Sequence, residues 1–566
     1  MNLPSLLNTT WMLRCSAEAW AFRRATRRVA RAQAGVLAAI LGRNRDTQFG
    51  RDHRFARIDG PRACQEQVPL SCYDAYAEAV RRIGEGQPNV LTRDPVTLLE
   101  PTSGTTAGEK LIPYNGPLRR QFQRAVAAWV FDLFWHRPAV RRGRAYWSIS
   151  PALGKARRTP AGIPIGFEDD AAYLGSVERR LVERLLVVPS AVTRLAEIES
   201  FHYCTLWFLL QADDLTSISI WNPSFLLWLV APLEAWHERL CFDLRRGRPQ
   251  PPSDLSPDSA EAMARRCRNP ERRAARLEAI FQSQRSLAEK LRLVWPQLTL
   301  ISCWADAGAA PILPELAGLF PGVEIQPKGL MATEAAVSFP VLGQPGAALA
   351  VRSHFFEFQE PAPPQRVRLA HELDLGGRYR VIVTTGGGLY RYQLRDEIEV
   401  VGFLNECPLL RFVGKSDCTS DLVGEKLAEP HVQAVVQRAL GERRLRPQFV
   451  LLVPVEGRPP HYRLYLQDRG AQPDRSAQDD LAAALERGLG ENPHYAYARR
   501  LGQLGPAEVT TLDPAGVPGW EVYRRRLLAR GIRAGDVKPL VLAPGSGWPQ
   551  TFQDATDARA AAGQRE

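Results

Sequence analysis

Hydroxyl side chains, glycines and one lysine are concentrated in Leu98–Asn115, whose sequence is LLEPTSGTTAGEKLIPYN. The residues of interest are, in order, Thr102, Ser103, Gly104, Thr105, Thr106, Gly108 and Lys110. Hydroxyl groups, a flexible backbone and a cation in one short loop suit the phosphates of a nucleotide. The loop differs from the P-loop pattern G-x-x-x-x-G-K-[ST], because its glycines are one residue closer and Leu111 follows the lysine. The alternative interpretation is an ordinary Thr/Ser/Gly turn between a strand and a helix.

Lysine is rare in this chain. Of 73 Lys and Arg residues only seven are lysine, namely Lys110, Lys155, Lys290, Lys328, Lys415, Lys426 and Lys538. Arginine and lysine are not equivalent where a compact charge must reach a phosphate oxygen. A lysine in this arginine-rich chain is therefore a candidate for phosphate chemistry, although a surface lysine needs no such explanation.

Composition sets the class of protein. A chain of 566 residues with 45% hydrophobic and 24% charged residues predicts a globular protein of two or three domains. The net charge of +12 favours affinity for anions, and the segment Arg14–Arg31 is compatible with a nucleic-acid arm. Apolar residues interleave with these arginines and continue beyond them: Trp20, Phe22, Val29 and Leu37. This pattern favours an amphipathic helix with a solvated basic face, and we expect no nucleic-acid partner.

The nine cysteines include no C-x-x-C pair and no Cys/His spacing typical of zinc. Their odd number favours reduced thiols and a cytoplasmic setting. The N-terminal sequence does not have the layout of a signal peptide. The most apolar stretch, Ile218–Trp236, contains Asn222, two prolines and Glu234, so we interpret it as a buried helix and expect no membrane span.

Apolar runs alternate with helical patterns, which predicts an α/β fold. Residues 1–95 are expected to be mostly helical, and a helix over Pro117–Trp135 follows the Thr/Ser/Gly loop. The predicted strands are Ala145–Ser150, Leu185–Val188, Ser217–Ile220, Leu298–Cys303, Arg378–Thr385 and Ile398–Phe403. A compact α+β unit is predicted further on, from helices Pro430–Leu440 and Asp479–Leu489 and strands Gln448–Val453 and Tyr462–Leu466.

An acidic residue, Glu334, follows small residues in Gly329–Phe339, GLMATEAAVSF, at the expected end of a strand. Near a triphosphate, its carboxylate would be useful mainly as a ligand of Mg2+, which prefers oxygen and bridges phosphates. The alternative is a surface glutamate at a helix start, where it would interact favourably with the helix dipole.

A second acidic residue, Asp396, follows Arg395 in the β-rich stretch Gly386–Phe403. A carboxylate at such a turn can accept hydrogen bonds from both ribose hydroxyls of a nucleotide. The alternative is an ordinary turn aspartate.

Two further lysines lie late in the chain. Lys426 belongs to Arg411–Glu429, where Gly414 and Asp417 indicate either a hinge or a flexible linker with solvated charge. Lys538 lies in the loop sequence RAGDVKPL. On a mobile domain it could be delivered to a reacting carboxylate and α-phosphate, neutralising charge as it develops; the alternative is an exposed loop lysine.

Taken in this order, the motifs resemble the adenylate-forming superfamily, whose members join a carboxylic acid to AMP and then to an acceptor. Within it, they most resemble the auxin-responsive acyl acid amido synthetase family (Gretchen-Hagen-three) of plants and their bacterial relatives. The matching segments are Arg43–His53, Val68–Tyr76, Thr102–Tyr114, Ser219–Leu229, Lys328–Glu334, Gly388–Phe403 and Ser420–Glu429. The resemblance extends from the first of these segments to Lys538.

The resemblance implies an α/β fold with a large N-terminal domain, residues 1–412, that has an α/β sheet core and a small β-barrel. A smaller, mobile α+β C-terminal domain would comprise residues 413–545, followed by a flexible tail at residues 546–566. The implied cofactors are ATP and Mg2+. By position, the phosphates would be held by Ser103, Gly104, Thr105, Thr106, Gly108 and Lys110.

The remaining site residues are implied in the same way. Thr333 would lie at the α-phosphate with Glu334, which would also bind Mg2+. Asp396 would hold the ribose, and Phe412 would border the nucleotide near the hinge. The implied catalytic residues are Lys110, Glu334, Lys426 and Lys538, the last two approaching the nucleotide in different domain orientations. The implied acyl-acid contacts are Trp147, Trp207, Trp221 and Phe225, although large aromatics in apolar runs usually pack inward.

The chain departs from plant members at several positions. Leu330, Met331 and Ala332 replace the start of a Tyr-Ala-Ser-Ser-Glu element, so an aromatic stack on adenine is not assured. Arg395 stands where glycine is usual, and Glu109 adds a negative charge beside Lys110. None of these departures removes an implied catalytic group.

The expected reaction has two steps, acyl-AMP formation from a carboxylic acid and ATP, then transfer of the acyl group to an amine, expected to be an amino acid. Three alternatives remain open at this point: a CoA ligase with a thiol acceptor, a nucleotide- or acyl-binding protein without turnover, and a nucleic-acid-binding protein, which only the net charge of +12 suggests. We expect a monomer or weak oligomer.

Overall fold

The structure is a computed structural model that describes residues 2–102, 110–148, 157–166, 176–195, 197–253, 255, 257–267, 270–416, 418–468, 474–514, 516–530, 532, 537–543 and 545–563. The chain forms two compact units. The first contains Met1–Ala305, Glu315–Leu394 and Ile398–Phe412. The second contains Val413–Glu566 together with two short segments from earlier in the sequence, Asp306–Pro314 and Arg395–Glu397.

The first unit begins with five helices. These are α1 (Leu3–Ala25), α2 (Val29–Asn44), α3 (Gln48–Asp52), α4 (Pro61–Gln67) and α5 (Asp74–Gly84). The arginine-rich stretch spans the end of α1 and the start of α2, so it is not one helix. Phe22 and Val29 are buried as predicted, but Trp20 is 59% exposed because it lies on the outer side of α1.

Strands β1 (Leu98–Pro101) and β2 (Leu111–Tyr114) pair antiparallel, with Pro101 opposite Leu111. Helix α6 (Gly116–His136) follows β2, and the side chain of Asn115 caps it by accepting a hydrogen bond from the Leu118 N–H. The hydroxyl-rich loop therefore connects two strands of a hairpin. The sequence had indicated a strand on one side and a helix on the other, because β2 is too short to have a clear pattern of its own.

The next elements alternate between strands and helices. In chain order they are β3 (Arg144–Trp147), β4 (Arg157–Arg158), β5 (Pro164–Ile165), α7 (Ser176–Leu185), α8 (Ile198–Gln211), β6 (Leu215–Ser219), α9 (Pro223–Val230), α10 (Leu233–Arg245), α11 (Pro257–Ala264), α12 (Pro270–Phe281), α13 (Leu287–Val294), β7 (Leu300–Cys303), α14 (Leu313–Leu319) and β8 (Glu324–Pro327). Strands β3, β6, β7 and β8 form a parallel sheet in that order. A smaller sheet has the order β2, β1, β5, β4.

Two predictions in this region need correction. The apolar run Leu185–Val188 does not form a strand of its own, since α7 ends at Leu185 and Leu186 makes only an isolated bridge to Ala145. The run Ile218–Trp236 is not one buried helix. It begins within β6, continues through α9 and ends within α10, because Asn222 and the prolines interrupt it.

A seven-stranded sheet follows β8 in the chain. Its strands are β9 (Ser338–Pro340), β10 (Ala347–Leu349), β11 (Phe355–Gln359), β12 (Val367–Leu369), β13 (Arg378–Thr384), β14 (Tyr392–Leu404) and β15 (Cys407–Lys415). They lie in the order β12, β11, β13, β14, β15, β10, β9. Apolar side chains of this sheet share one core with α2, α5 and α6.

The second unit contains β16 (Thr419–Ser420), β17 (Leu427–Ala428), α15 (Glu429–Glu442), β18 (Phe449–Val455), β19 (His461–Gln467), α16 (Arg475–Leu489), α17 (Pro493–Arg500), β20 (Glu508–Thr511), α18 (Gly519–Ala529) and α19 (Trp548–Gly563). Strands β18, β19 and β20 form one sheet. Alternate residues of β18 face opposite sides: Leu452 packs with α15 and α16, and Leu451 packs with α18 and α19.

The segment at residues 546–566 differs from the predicted flexible tail. It contains α19, whose Trp548 and Phe552 are buried in the second core of this unit. The prediction relied on the alanine-rich composition and did not consider that Trp548 and Phe552, four residues apart, lie on one face of a helix. Short 3-10 helices occur at Phe55–Arg57, Val140–Arg142, Val192–Arg194, Ala307–Ile312 and Ala370–Glu372. In the portion of the chain that the structure describes, no helix has the length and apolar character required to span a bilayer.

Candidate active site

The two ends of the hydroxyl-rich loop are held together. The Thr102 N–H donates a hydrogen bond to the Lys110 carbonyl over 2.8 Å, and the Leu111 N–H donates to the Tyr73 hydroxyl over 2.8 Å. Lys110 is half-buried at the start of β2. Ser103, Gly104, Thr105, Thr106 and Gly108 lie outside the described residues. The hairpin thus fixes Lys110 beside the base of the loop.

The predicted Mg2+ ligand lies on a short element placed against β2. The Tyr114 hydroxyl, at the end of β2, donates a hydrogen bond to the Thr333 carbonyl. The Tyr392 hydroxyl donates to Glu334 Oε1 over 3.4 Å. Thr333 and Glu334 are half-buried. The hydrogen bond from Tyr114 brings β2, the strand that follows the hydroxyl-rich loop, together with the Thr-Glu element within the first unit.

A buried histidine that the sequence did not single out supports the Thr-Glu element. The Ala336 N–H donates to His354 Nε2 over 3.1 Å, and His354 Nδ1 lies 3.1 Å from Gln121 Oε1. Burial lowers the pKa of His354 to about 3, so the ring is neutral at pH 7. Because Nε2 accepts, Nδ1 carries the proton and donates to Gln121. Gln121 Oε1 also accepts from the Gly386 N–H over 2.7 Å.

The segment Val68–Tyr76 forms hydrogen bonds with the residues just before β14. The Tyr76 hydroxyl donates to the Tyr390 carbonyl over 2.7 Å and accepts from the Tyr390 N–H over 2.9 Å. The Ser71 N–H donates to the Arg391 carbonyl over 3.1 Å. These bonds position Tyr392, which contacts Glu334. Val68–Tyr76, a segment that carried only the family resemblance, therefore has a structural role at the site.

In the second unit, Asp396 is 3% exposed and pairs with a lysine. Lys415 Nζ lies 2.7 Å from Asp396 Oδ1, and the Ser416 N–H donates to the Arg395 carbonyl over 2.8 Å. A carboxylate has about four lone-pair sites, so Asp396 can hold Lys415 and also accept hydroxyl donors. Sequence analysis assigned no role to Lys415. The scarcity of lysine in the chain was the one feature that marked it as a candidate for the site.

A buried carboxyl, Glu429, connects this pair to the loop of Lys538. The Lys415 N–H donates to Glu429 Oε2 over 3.3 Å and the Val541 N–H donates to Oε1 over 3.5 Å. Burial raises the pKa of Glu429 to about 7, against the opposing effects of these hydrogen bonds and of the Lys415 and Lys538 charges. Lys538 is half-buried, and its carbonyl accepts from the Tyr523 hydroxyl over 2.8 Å.

The other late lysine has a different environment. Lys426 is exposed, with φ of 48°, in the turn between β16 and β17. Its neighbour Glu425 is buried and accepts hydrogen bonds from the Leu422 and Val423 N–H groups and from the Tyr462 hydroxyl. Glu425 thus shapes the turn and leaves Lys426 at the surface of the second unit.

Phe412, the residue predicted to border the nucleotide, lies on β15 and is half-buried.

Replacing Glu429 by glutamine is expected to change how stability depends on pH. The folded pKa of about 7 exceeds the usual 4.5, so the folded state holds the proton more tightly and wild-type stability falls as pH rises between these values. Glutamine removes this loss, and the variant should gain up to about 3 kcal/mol relative to wild type across that window. Urea unfolding of both proteins at pH values from about 5 to about 8 measures this gain in the free energy of unfolding. A difference between variant and wild type that stays constant with pH would contradict the raised pKa of Glu429.

The four aromatic residues proposed for acyl contact fall into two groups. Trp147 and Trp221 are half-buried at the carboxyl ends of β3 and β6. Trp207 is fully buried in α8, with its ring 4.9 Å from that of Phe208, and Phe225 is 5% exposed in α9. Position at the sheet edge, which sequence periodicity does not reveal, separates the two groups.

The acidic group of the site, the Glu334 carboxylate, is a suitable ligand for Mg2+. Among the residues placed by the structure, no cluster of three or more His, Cys, Asp or Glu side chains could hold a metal ion. Protein sites usually bind Mg2+ through few carboxylates together with substrate phosphates and water. The single Glu334 carboxylate, held beside β2, is a donor of this kind.

Comparison with solved structures defines the class of fold. The chain is similar to AtGH3.15 acyl acid amido synthetase in complex with 2,4-DB, with a TM-score of 0.81, 22% identity and 95% of each chain covered. It also resembles 2-hydroxyisobutyryl-CoA ligase in complex with 2-HIB-AMP, with a TM-score of 0.50, 11% identity and coverage of 94% of this chain and 92% of the other. The chain therefore has the fold that these two proteins share, which confirms the predicted α/β fold class.

Three domain descriptions of one family match the chain: the GH3 family N-terminal domain at residues 19–325, the central domain at 347–415 and the C-terminal domain at 430–544. The chain belongs to the GH3 family, as its motifs predicted. It is 25% identical to indole-3-acetic acid-amido synthetase GH3.15 of Arabidopsis thaliana, over 91% of this chain and 90% of the relative. It is 26% identical to indole-3-acetic acid-amido synthetase GH3.8 of Oryza sativa subsp. indica, over 85% and 83%.

Proposed function

We propose that this chain is an ATP-dependent acyl acid amido synthetase that activates a carboxylic acid as acyl-AMP and transfers the acyl group to an amino acid. The observation that carries the proposal is the hydrogen bond from Tyr114 to Thr333, which joins the strand leaving the phosphate loop to the Thr-Glu element. Membership of the GH3 family supports the same reaction. We also propose a cytoplasmic location, which suits an odd number of cysteines, nine in all, without a C-x-x-C pair.

In the first half-reaction, a carboxylate oxygen attacks the α-phosphorus of ATP and the bond to pyrophosphate breaks. Lys110 and the loop hydroxyls would hold the phosphates, and Thr333 would hold the α-phosphate. Bound to Glu334, Mg2+ would supply further neutralisation of phosphate charge. Asp396, supported by Lys415, would accept the ribose hydroxyls, and Phe412 would border the nucleotide. Most of the rate would come from positioning and electrostatic stabilisation.

In the second half-reaction, the amine nitrogen attacks the acyl carbonyl, loses a proton and displaces AMP. Lys538 would neutralise charge at the α-phosphate during adenylation, and Lys426 would approach the nucleotide when the C-terminal domain turns. No protein nucleophile is required, because AMP already activates the acyl group.

Replacing Asp396 by asparagine should raise the KM for ATP by roughly tenfold to a hundredfold, because hydrogen bonds to a charged acceptor become neutral ones. Glu399→Gln is the matched control, since Glu399 lies on the same strand and pairs with Arg411 at the surface. Initial rates at varied ATP concentration measure the effect. An unchanged KM for ATP in Asp396→Asn would contradict the ribose role.

Acid-dependent ATP–pyrophosphate exchange tests the proposed function directly. The panel comprises indole, benzoate, jasmonate-like and fatty acids, with Glu334→Ala as the inactive control. Exchange with one acid class, lost in the variant, would establish acyl-adenylate formation. Incubation with that acid and either amino acids or CoA, followed by mass spectrometry, then separates the amido synthetase from the CoA ligase that the weaker structural similarity suggests. ATP binding without exchange for every acid would contradict the proposal.

A further inference from the structure

Helix α1 carries a second apolar face, opposite the one that packs against the core. On the inner side, Trp11, Met12 and Cys15 pack with residues of α6, and the Trp11 and Phe134 ring centroids are 5.7 Å apart. On the outer side, exposed residues recur every three or four positions, at 3, 6, 10, 13, 17, 20 and 24. Residues at this spacing lie on one side of a helix. They form a continuous row roughly 30 Å long, called the α1 stripe below.

Large apolar side chains occupy most of the α1 stripe. Leu3, Leu6, Leu13 and Trp20 are 59%, 50%, 61% and 59% exposed. The Thr10 hydroxyl donates to the Leu6 carbonyl over 2.9 Å, so its polar group is satisfied within the helix. Single exposed apolar residues are common on protein surfaces, whereas a contiguous group of them marks an interaction site. The α1 stripe therefore suits a partner with an apolar phase.

The surroundings of the α1 stripe are strongly basic. Residues 3–44 contain one acidic residue, Glu18, and seven arginines, namely Arg14, Arg23, Arg24, Arg27, Arg28, Arg31 and Arg43. Glu18 Oε1 lies 2.6 Å from Arg352 Nε. Two carboxylates reach this segment from other elements: Asp132 Oδ1 lies 4.0 Å from Arg23 Nη2, and Glu406 accepts from the Val29 N–H over 3.0 Å. The excess of positive charge favours an anionic partner.

Arginines border the apolar row on both sides. At about 3.6 residues per turn, Arg14 and Arg23 lie on opposite flanks of the α1 stripe, and Arg24 lies at its end. The Arg23 guanidinium carbon is 5.5 Å from the Trp20 ring centroid, which is within cation–π range. Exposed leucine and tryptophan with flanking arginines are typical of helices that lie in the plane of a membrane surface.

We propose that the α1 stripe binds the surface of an anionic lipid bilayer, with its leucines and Trp20 at the edge of the acyl chains and its arginines at the lipid phosphates. The helix would lie on the bilayer without crossing it. A second copy of the chain suits the stripe less well, because the arginines of both copies would be brought together. A nucleic acid would contact the arginines through its phosphates but leave the apolar row without a partner. The inference is independent of the proposed function.

Co-sedimentation of the full chain with lipid vesicles tests the proposal. The vesicles consist of phosphatidylcholine alone or of equal parts phosphatidylcholine and phosphatidylglycerol. Wild type should partition onto the anionic vesicles at least roughly tenfold more strongly than onto the neutral ones, and high salt should reduce this difference. Leu13→Ser with Trp20→Ser should lower partitioning by roughly tenfold to a hundredfold, because two large apolar side chains no longer leave water. Arg24→Gln with Arg27→Gln should lower it by roughly tenfold on the anionic vesicles alone.

Matched controls change the same residue types elsewhere in the chain. Leu375→Ser replaces another leucine, which is 67% exposed. Arg292→Gln with Arg487→Gln removes two charges from exposed positions on α13 and α16. Both controls should bind vesicles like wild type. Thermal unfolding checks the fold of every variant, and Leu6→Ser, on the same stripe, replaces the double serine variant if that variant unfolds.

Several outcomes would overturn the proposal. Wild type would remain in the supernatant with anionic vesicles, or the double serine variant would bind them as well as wild type does. A wild-type dimer that becomes monomeric in the double serine variant, measured by light scattering, would show that a second copy covers the stripe. Tighter binding to duplex DNA than to vesicles, lost only in the double glutamine variant, would assign the arginines to nucleic acid. Because the vesicle assay contains no ATP, acid or amine, failure of the proposed function in pyrophosphate exchange would not affect it.

Discussion

Glu334→Gln lowers acid-dependent ATP–pyrophosphate exchange by roughly 10²–10³-fold if Glu334 holds Mg2+ at the phosphates as proposed, the loss that follows removal of one preorganised electrostatic group. Glutamine keeps an oxygen for the Tyr392 hydroxyl, which donates to Glu334 Oε1, so the element should stay in place. The charge that favours a divalent cation is lost. The measurement is the initial rate of exchange at saturating acid and varied Mg2+.

Glu324→Gln provides the control for this variant. Glu324 is an exposed carboxylate on β8 that pairs with Arg137, so its replacement removes the same charge from the same unit, away from the Thr-Glu element. Its exchange rate should stay close to wild type. A wild-type rate in Glu334→Gln would remove Glu334 from the mechanism, whatever the acid.

Arg391→Met should destabilise the protein by about 3–5 kcal/mol, because it leaves a buried carboxylate without its partner. Arg391 and Glu357 are 5% and 1% exposed, and Arg391 Nε lies 3.0 Å from Glu357 Oε2. The guanidinium also donates to the carbonyls of Gln65 and Val68 over 2.9 Å and 2.6 Å. All of these bonds would be lost together. Thermal and urea unfolding of the full chain measure the change.

The double variant Glu357→Gln with Arg391→Met separates two causes of the lost stability, the unpaired buried charge and the lost packing of the Arg391 side chain. Removing both charges should recover part of the stability lost in Arg391→Met, because no uncompensated ion then remains buried. Arg391→Lys should fall between wild type and Arg391→Met, since lysine keeps the charge but lacks the separate guanidinium nitrogens that bind Glu357 and the two carbonyls at once. If Arg391→Met unfolds like wild type, the buried pair contributes little to stability.

Arg391 also shows how stability and the site are connected. It immediately precedes Tyr392, whose hydroxyl contacts Glu334, and its carbonyl accepts from Ser71. Loss of the buried pair would therefore loosen the start of β14 as well as the core. We expect Arg391→Met to lose activity on warming before the second unit unfolds, because the affected contacts all lie in the first unit.

Local sequence was sufficient for much of the fold. Periodicity predicted α6, α15 and three strands of the parallel sheet (β3, β6 and β7) to within a few residues, because helices and strands impose their repeat on neighbouring residues. Predictions were less accurate where an element is short, as for β2, or where the composition is dominated by small polar residues, as for α19. The pattern of β2 has too few residues to be distinguished from a loop, and in α19 alanine and polar residues leave few large apolar side chains to mark a helical repeat.

The sequence by itself determined the family and the order of its motifs, since the hydroxyl-rich loop, the Thr-Glu element and the segment around Asp396 are each identified by adjacent residues. Only the tertiary structure decided which groups support them. His354 and Gln121 are 233 positions apart, and Tyr76 and Tyr390 are 314 apart. The ion pair of Asp396 with Lys415 also depends on how the strands are arranged. Such contacts are selected by packing and burial of the whole chain, and no pattern of neighbouring residues specifies them.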